Sequence, residues 1–139
     1  KIKSIARLQE ITSGKLKNIC KNNRLYLDGS HNPLGAKALN EYLNTLNCNK
    51  HLILGMMSNK NHEEYISYFN DISSITTIDV PNQPNAITGE ELKKKLNKYP
   101  NVNYKKSIEE ALNSLNTDKD DLIIMTGSLY LAGELLNRN

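Results

Sequence analysis

Apolar and polar positions alternate along the chain in blocks that punctuate cleanly. Leu16 to Cys20 and Leu25 to Asp28 are short apolar segments separated by Lys21-Asn22-Asn23-Arg24, which predicts a β-hairpin. After Asn32-Pro33, suited to a helix start, Ala36, Leu39, Leu43 and Leu46 recur at helical spacing. Leu52-Ile53-Leu54, closed by Gly55, fits a strand buried on both faces. A helix is predicted over 62–70, with Tyr65, Ile66 and Phe69 inward. The β-branched run from Ile75 to Val80 predicts a strand ending at Pro81. Thr88 with Glu91, and Ser107 with Glu110, are capping boxes that open two further helices around a polar strand from Val102 to Lys105. Leu122-Ile123-Ile124-Met125 is the most hydrophobic run and predicts a central strand. A last helix carries Leu129, Ala132, Leu135 and Leu136.

The predicted order is β-β-α-β-α-β-α-β-α-β-α. Strands alternating with helices imply an α/β domain with a mostly parallel sheet of about six strands, one of them antiparallel, and helices on both faces. In such a sheet the loops leaving the strands share one edge, where ligands bind. Four loops meet that condition: Asp28 to Pro33, Gly55 to Lys60, Pro81 to Asn85, and Thr126 to Ser128.

Composition sharpens this picture only slightly. The 139 residues are 38% hydrophobic, and Leu, Ile, Val and Phe make up about a quarter, enough for one packed domain over 1–139. No apolar run has the length of a membrane span. The start, Lys1-Ile2-Lys3-Ser4, has neither an initiator Met nor a signal-peptide core, so a larger parent protein is expected. The net charge of +3 is scattered, and Lys93-Lys94-Lys95 reads as a solvated helix face, so no nucleic-acid partner is expected. Cys20 and Cys48 form no disulfide framework and no zinc pattern, which suits reduced thiols in the cytoplasm. The twenty Asn residues are spread without a repeat.

Each strand-end residue admits two readings. Thr126-Gly127-Ser128 opens a helix whose free N–H groups attract an anion, and Ser128 could donate to a phosphate or carboxylate or simply cap the helix. Asp28 could accept from ribose hydroxyls or form a turn before Gly29. His31 could bond a base or carboxylate, pair with Asp28, or do nothing. Lys60 could approach a phosphate or stay solvated. No His or carboxylate stands at metal-ligand spacing around His31, so no metal is expected in this domain. His51 and His62 read as structural or solvated, Glu134 and Arg138 as a surface pair. Neither a phosphate loop, a G-x-G-x-x-G nor a G-x-S-x-G is present, so no complete nucleotide-hydrolysing site is evident.

Several of these segments resemble one family. Leu27-Asp28-Gly29-Ser30-His31-Asn32-Pro33 is similar to the D-G-A-H-N-P segment of folylpolyglutamate and dihydrofolate synthases, members of the Mur ligase superfamily. Gly55-Met56 with Lys60 resembles their G-M-x-x-D-K-D stretch, Thr126-Gly127-Ser128-Leu129-Tyr130 their T-G-S-L-Y stretch, and Ala6-Arg7-Leu8-Gln9 the end of P-G-R-L-Q. The pieces fall in family order from residue 7 to residue 130. The sequence departs at Ile5-Ala6, where Pro-Gly is usual, at Ser30 for Ala, and at Asn59 and Asn61, which replace both Asp residues around Lys60.

The resemblance implies a Rossmann-like C-terminal domain of an ATP-dependent ligase that adds L-glutamate to dihydropteroate or reduced folates through an acyl phosphate. Its implied partners are an N-terminal phosphate-loop domain of the same chain, which holds ATP and Mg2+, and the substrates. Arg7 and Asp28 would contact nucleotide, His31 would sit at the nucleotide-facing edge, and Ser128 would lie on the glutamate side. Asn32 and Lys60 are further candidates. The isolated domain would carry no catalytic residue and be inactive, and a cytoplasmic monomer is expected. The alternatives are another Mur-type amino-acid ligase domain and a stand-alone nucleotide-binding module.

Overall fold

The structure, a computed structural model, describes residues 8–139. Its strands are β1 (Gln9–Ile11), β2 (Arg24–Leu27), β3 (Lys50–Leu54), β4 (Ser74–Thr77), β5 (Val102–Tyr104) and β6 (Leu122–Thr126). Its helices are α1 (Lys15–Cys20), α2 (Pro33–Leu43), α3 (His62–Ser67), α4 (Gly89–Lys95), α5 (Ile108–Ser114) and α6 (Leu129–Arg138). The strands form one sheet in the order β1-β2-β6-β3-β4-β5. Only the β1–β2 pair is antiparallel. No helix among the described residues is long and apolar enough to cross a membrane.

The two central strands explain the layering. Every residue of β3 and β6 is buried, because successive side chains point to opposite faces and both faces are covered. On one face Leu52, Leu54, Leu122 and Ile124 pack with residues of α2, α3 and α4. On the other, Ile53, Ile123 and Met125 pack with residues of α1, α5 and α6. Each fully buried Leu or Ile contributes about 1.5–3 kcal/mol, so the fold rests on this double-sided core rather than on helix propensity.

The short helices start where side chains accept their first free N–H groups. Asn32 Oδ1 accepts from Gly35 N at 2.9 Å, Asn61 Oδ1 from Glu64 N at 3.1 Å, Thr88 Oγ1 from Glu91 N at 3.2 Å and Ser107 Oγ from Glu110 N at 3.1 Å.

The predicted hairpin is corrected. Residues 15–20 are a helix, and the antiparallel neighbour of β2 is Gln9–Ile11, with Glu10 opposite Tyr26. Leu16, Ile19 and Cys20 stand at i, i+3 and i+4 and face the core beside α5 and α6. A six-residue helix does not persist alone. This one is closed from the far end of the chain: Asn139 Oδ1 accepts from Leu16 N at 2.9 Å and from Lys17 N at 3.3 Å, and Asn139 Nδ2 donates to Ser13 O at 2.8 Å.

Candidate functional site

The site begins where β6 sits between β2 and β3. The helices that follow β2 and β3 lie on one face of the sheet, and the helix that follows β6 lies on the other. The chain therefore parts in opposite directions at adjacent strand ends and leaves a crevice, the usual ligand position in open α/β sheets. The loops beside it are hydrogen-bonded to one another. Asp28 N donates to Met125 O at 2.9 Å, Gly127 N to Ser30 O at 3.1 Å and Gly55 N to Thr126 O at 3.3 Å. The fourth loop joins them through Ser58, whose N and Oγ both donate to Asn85 O, at 2.8 and 2.7 Å. All four strand-end loops thus share one rim, as expected from the sequence.

The crevice is a cleft of about 640 Å³, lined by His31, by Met57 to Lys60, by Asn85, and by Ser128 to Tyr130. Among the described residues its lining holds one lysine, one histidine and no carboxylate. His31 Nδ1 is buried without a hydrogen-bond partner. Burial, and then the neighbouring Lys60 charge, push the His31 pKa below the ordinary imidazole range, so at neutral pH the ring is uncharged and offers one donor and one acceptor. The set suits an anionic, oxygen-rich ligand that also presents a hydrogen-bonding group to His31.

Ser128 is both cap and wall. Its side chain is 1% exposed, and its Oγ accepts from Tyr130 N at 3.0 Å and from Leu131 N at 3.3 Å, opening α6. A hydroxyl so engaged still has its own proton to donate. Gly127 just before it has φ +112°, a conformation in which a side chain is strained.

Asp28 and Asn32 do not line the cleft. Asp28 is 7% exposed, and its Oδ1 accepts from Ser30 N at 2.7 Å, closing an Asx turn. Burial raises its pKa, and the hydrogen bonds from Ser30 offset that rise only in part. The side chain of Asn32 caps α2, as that of Asn61 caps α3. Asn retains the capping oxygen that Asp would supply there. Arg7 lies outside the described residues.

His62 Nε2 donates to Met57 O at 2.9 Å and fixes the loop that carries Lys60. His51 lies at the opposite end of the strands, between Ser74 Oγ at 2.7 Å and Asp121 Oδ2 at 2.9 Å. Both are structural, in keeping with the sequence. A second hollow, of about 520 Å³, also lies at that opposite end and is lined by Asp71, Asp118, Asp120 and Asp121. Its charge disfavours the ligand class that suits the cleft. Among the described residues no group of three or more His, Cys, Asp or Glu side chains is arranged to hold a metal ion.

Sequence reasoning did not single out Asn85 or Tyr130 as cleft residues, although Asn85 lies in a loop it placed on the rim and Tyr130 just beyond another. It read Tyr65 only as core. No sequence signal marks the hydroxyl of a core tyrosine as reaching a site.

This fold and its strand-end crevice define an α/β domain with a ligand cleft where the chain parts at adjacent strand ends. The family described as Mur ligase, glutamate ligase domain matches residues 11–129, and the chain belongs to it. Solved structures with the same fold include folylpolyglutamate synthase from Thermotoga maritima (24% identity, TM-score 0.78, covering 95% of this chain and 30% of that one). Bifunctional folylpolyglutamate synthase/dihydrofolate synthase from Yersinia pestis is similar as well (18% identity, TM-score 0.78, 95% and 30%). So is Mycobacterium tuberculosis folylpolyglutamate synthase, solved with ADP and AMPPCP (20% identity, TM-score 0.77, 96% and 32%). This chain spans less than a third of each of these relatives. No curated protein matches it.

Proposed function

We propose that this chain is the C-terminal domain of an ATP-dependent ligase that adds L-glutamate to dihydropteroate or reduced folates through an acyl phosphate. Its partner is an N-terminal phosphate-loop domain of the same chain, which supplies the nucleotide pocket and the Mg2+ ligands. The observation that carries this reading is the cleft itself. Lys60, the uncharged His31, the Asn59 and Asn85 amides and Ser128 converge on one rim with no opposing carboxylate in the lining. That donor set fits a carboxylate or phosphate and does not fit a divalent cation.

The residues divide as follows. Lys60 supplies charge to an anionic group. His31, kept uncharged, accepts from an amine or donates to an oxygen. Ser128 donates from the start of α6, on the glutamate side. Asp28 accepts from the nucleotide beside β2, and Arg7 supplies a cation for nucleotide binding. Catalysis of acyl transfer of this kind needs reactants held in position and water kept away. A rim that forms one wall of a closing cleft contributes both, and the domain alone contributes neither. It is therefore inactive by itself, and the complete protein is a cytoplasmic monomer.

The test is an assay of the full-length protein for ATP-dependent glutamate addition to dihydropteroate and to reduced folates. Asp28→Ala and Ser128→Ala should each lower kcat/KM by about tenfold or more, the worth of a hydrogen bond to a charged group. Unchanged turnover in both variants would refute the site assignment. ATP hydrolysis by the isolated domain at enzyme-like rates would refute the half-site reading.

A further inference from the structure

Beneath the rim lies a cluster of three hydroxyl groups that the proposed function does not use. Tyr65, on α3, is 1% exposed and packs against Phe69, with ring centroids 5.7 Å apart. Its hydroxyl leaves this apolar cluster and ends among the strand-end turns. It donates to Ser30 O at 3.2 Å and lies 2.9 Å from Ser30 Oγ and 2.8 Å from Thr126 Oγ1. Ser30 Oγ and Thr126 Oγ1 are themselves 3.3 Å apart.

The partners of this one hydroxyl are the connection. Ser30 precedes His31 and closes the Asx turn of Asp28. Its carbonyl accepts from Tyr65 and also from Gly127 N at 3.1 Å. Thr126 ends β6, two residues before Ser128. The phenol oxygen therefore joins the turn that carries His31 to the turn that carries Ser128, which are two walls of the cleft. A buried phenol costs free energy unless its hydrogen bonds are made, and a phenylalanine would fill the same space without that cost. Burial raises the pKa of Tyr65, so the group stays a neutral donor.

We propose that Tyr65 is a positioning residue for the strand-end site, its hydroxyl clamping the β2 and β6 turns together through Ser30 and Thr126 and so fixing His31 relative to Ser128. The chemistry at the rim belongs to the function proposed above, but the clamp itself does not depend on which substrate binds.

The test compares Tyr65→Phe with wild type in the full-length protein, and uses Tyr68→Phe as control. Tyr68 OH reaches only Glu64, on the exposed side of the same helix, at 3.3 Å. Two readouts are taken. Hydrogen exchange of the peptide containing Gly127 should quicken about tenfold in Tyr65→Phe relative to peptides of the central strands, the loss of about one net hydrogen bond. The NMR titration of His31, assigned with a His31→Gln variant and carbon-13-labelled histidine, should move upward toward the ordinary imidazole value as the turn loosens and the ring gains solvent. The control should change neither. If Tyr65→Phe does not fold, Thr126→Val removes one contact of the same hydroxyl at nearly the same volume and is read in the same way. A lowered Tm with either readout unchanged would make Tyr65 a packing residue only and overturn the proposal. Neither measurement uses substrate, so loss of the proposed ligase activity and loss of this clamp are separate results.

Discussion

The same substitution at two glycines should have opposite effects. Gly127 stands at φ +112°, and a Cβ built there would lie 2.5 Å from Gly55 O, 2.8 Å from Leu54 Cδ1 and 3.0 Å from Met56 Cγ. The nearest of these atoms is backbone and cannot rotate away. Moving it shifts the Gly55–Met56 peptide and strains the adjoining hydrogen bond from Gly55 N to Thr126 O, which ties the ends of β3 and β6 together. Left-handed backbone strain of about 1–2 kcal/mol and overpacking of about 1–3 kcal/mol, with the strained hydrogen bond, make Gly127→Ala cost about 3–5 kcal/mol. Gly133, inside α6, has nothing within 4 Å of its added Cβ, so Gly133→Ala should stabilise by about 0.5–1 kcal/mol through helix propensity. For a domain of this size about 1 kcal/mol moves Tm by roughly 3–4 °C. Thermal unfolding followed by circular dichroism should thus show Gly127→Ala melting roughly 9–20 °C below wild type and Gly133→Ala melting about 2–4 °C above it. A Gly127→Ala protein within about 3 °C of wild type would refute the reasoning, because the rim would then lack the tight crossing on which the site's geometry depends.

Other expectations follow from charge and burial. Asp28→Asn keeps the oxygen that accepts from Ser30 N and removes a buried carboxylate whose raised pKa makes its charged form a cost that grows as pH climbs through that pKa. Its Tm at neutral pH should equal or exceed that of wild type, while turnover in the full-length protein falls; a large drop in Tm would contradict this. Asp121 behaves oppositely. Burial alone would raise its pKa, but hydrogen bonds from Asp118 N and His51, with the His51 charge and Asn49, outweigh it and hold the pKa below the usual carboxylate value. Its stabilisation is present above the unfolded-state pKa and lost as pH falls through the folded one. Urea midpoints between about pH 2 and about pH 5 should fall less steeply with acid in Asp121→Asn than in wild type, and equal slopes would count against the ion pair. Burial pushes the Cys20 thiol up to about 11, with Lys17 opposing weakly, whereas Cys48 is partly exposed. Alkylation of the native protein near pH 8 should therefore modify Cys48 and spare Cys20, as read by peptide mass spectrometry.

The sequence by itself determined what depends on neighbours along the chain. The capping residues Asn32, Thr88 and Ser107 were legible because a helix start needs an acceptor within three residues. The two central strands were legible because an unbroken apolar run of that length has to be covered on both faces. The shared rim was legible too, since parallel strands joined through helices must leave their strand-end loops on one edge. The tertiary structure decided what depends on distant partners. Leu16 to Cys20 is a helix because α5 and α6 receive its apolar face and Asn139, more than a hundred residues away, accepts its first N–H groups. It also decided how the rim residues are used: Asp28 and Asn32 satisfy their own turns, His31, Lys60 and Ser128 share the cleft, and the Tyr65 hydroxyl joins two of its walls. Spacing sets which face of an element a residue occupies, but a side chain's hydrogen-bond partner is fixed only when another element arrives within about 3 Å of it.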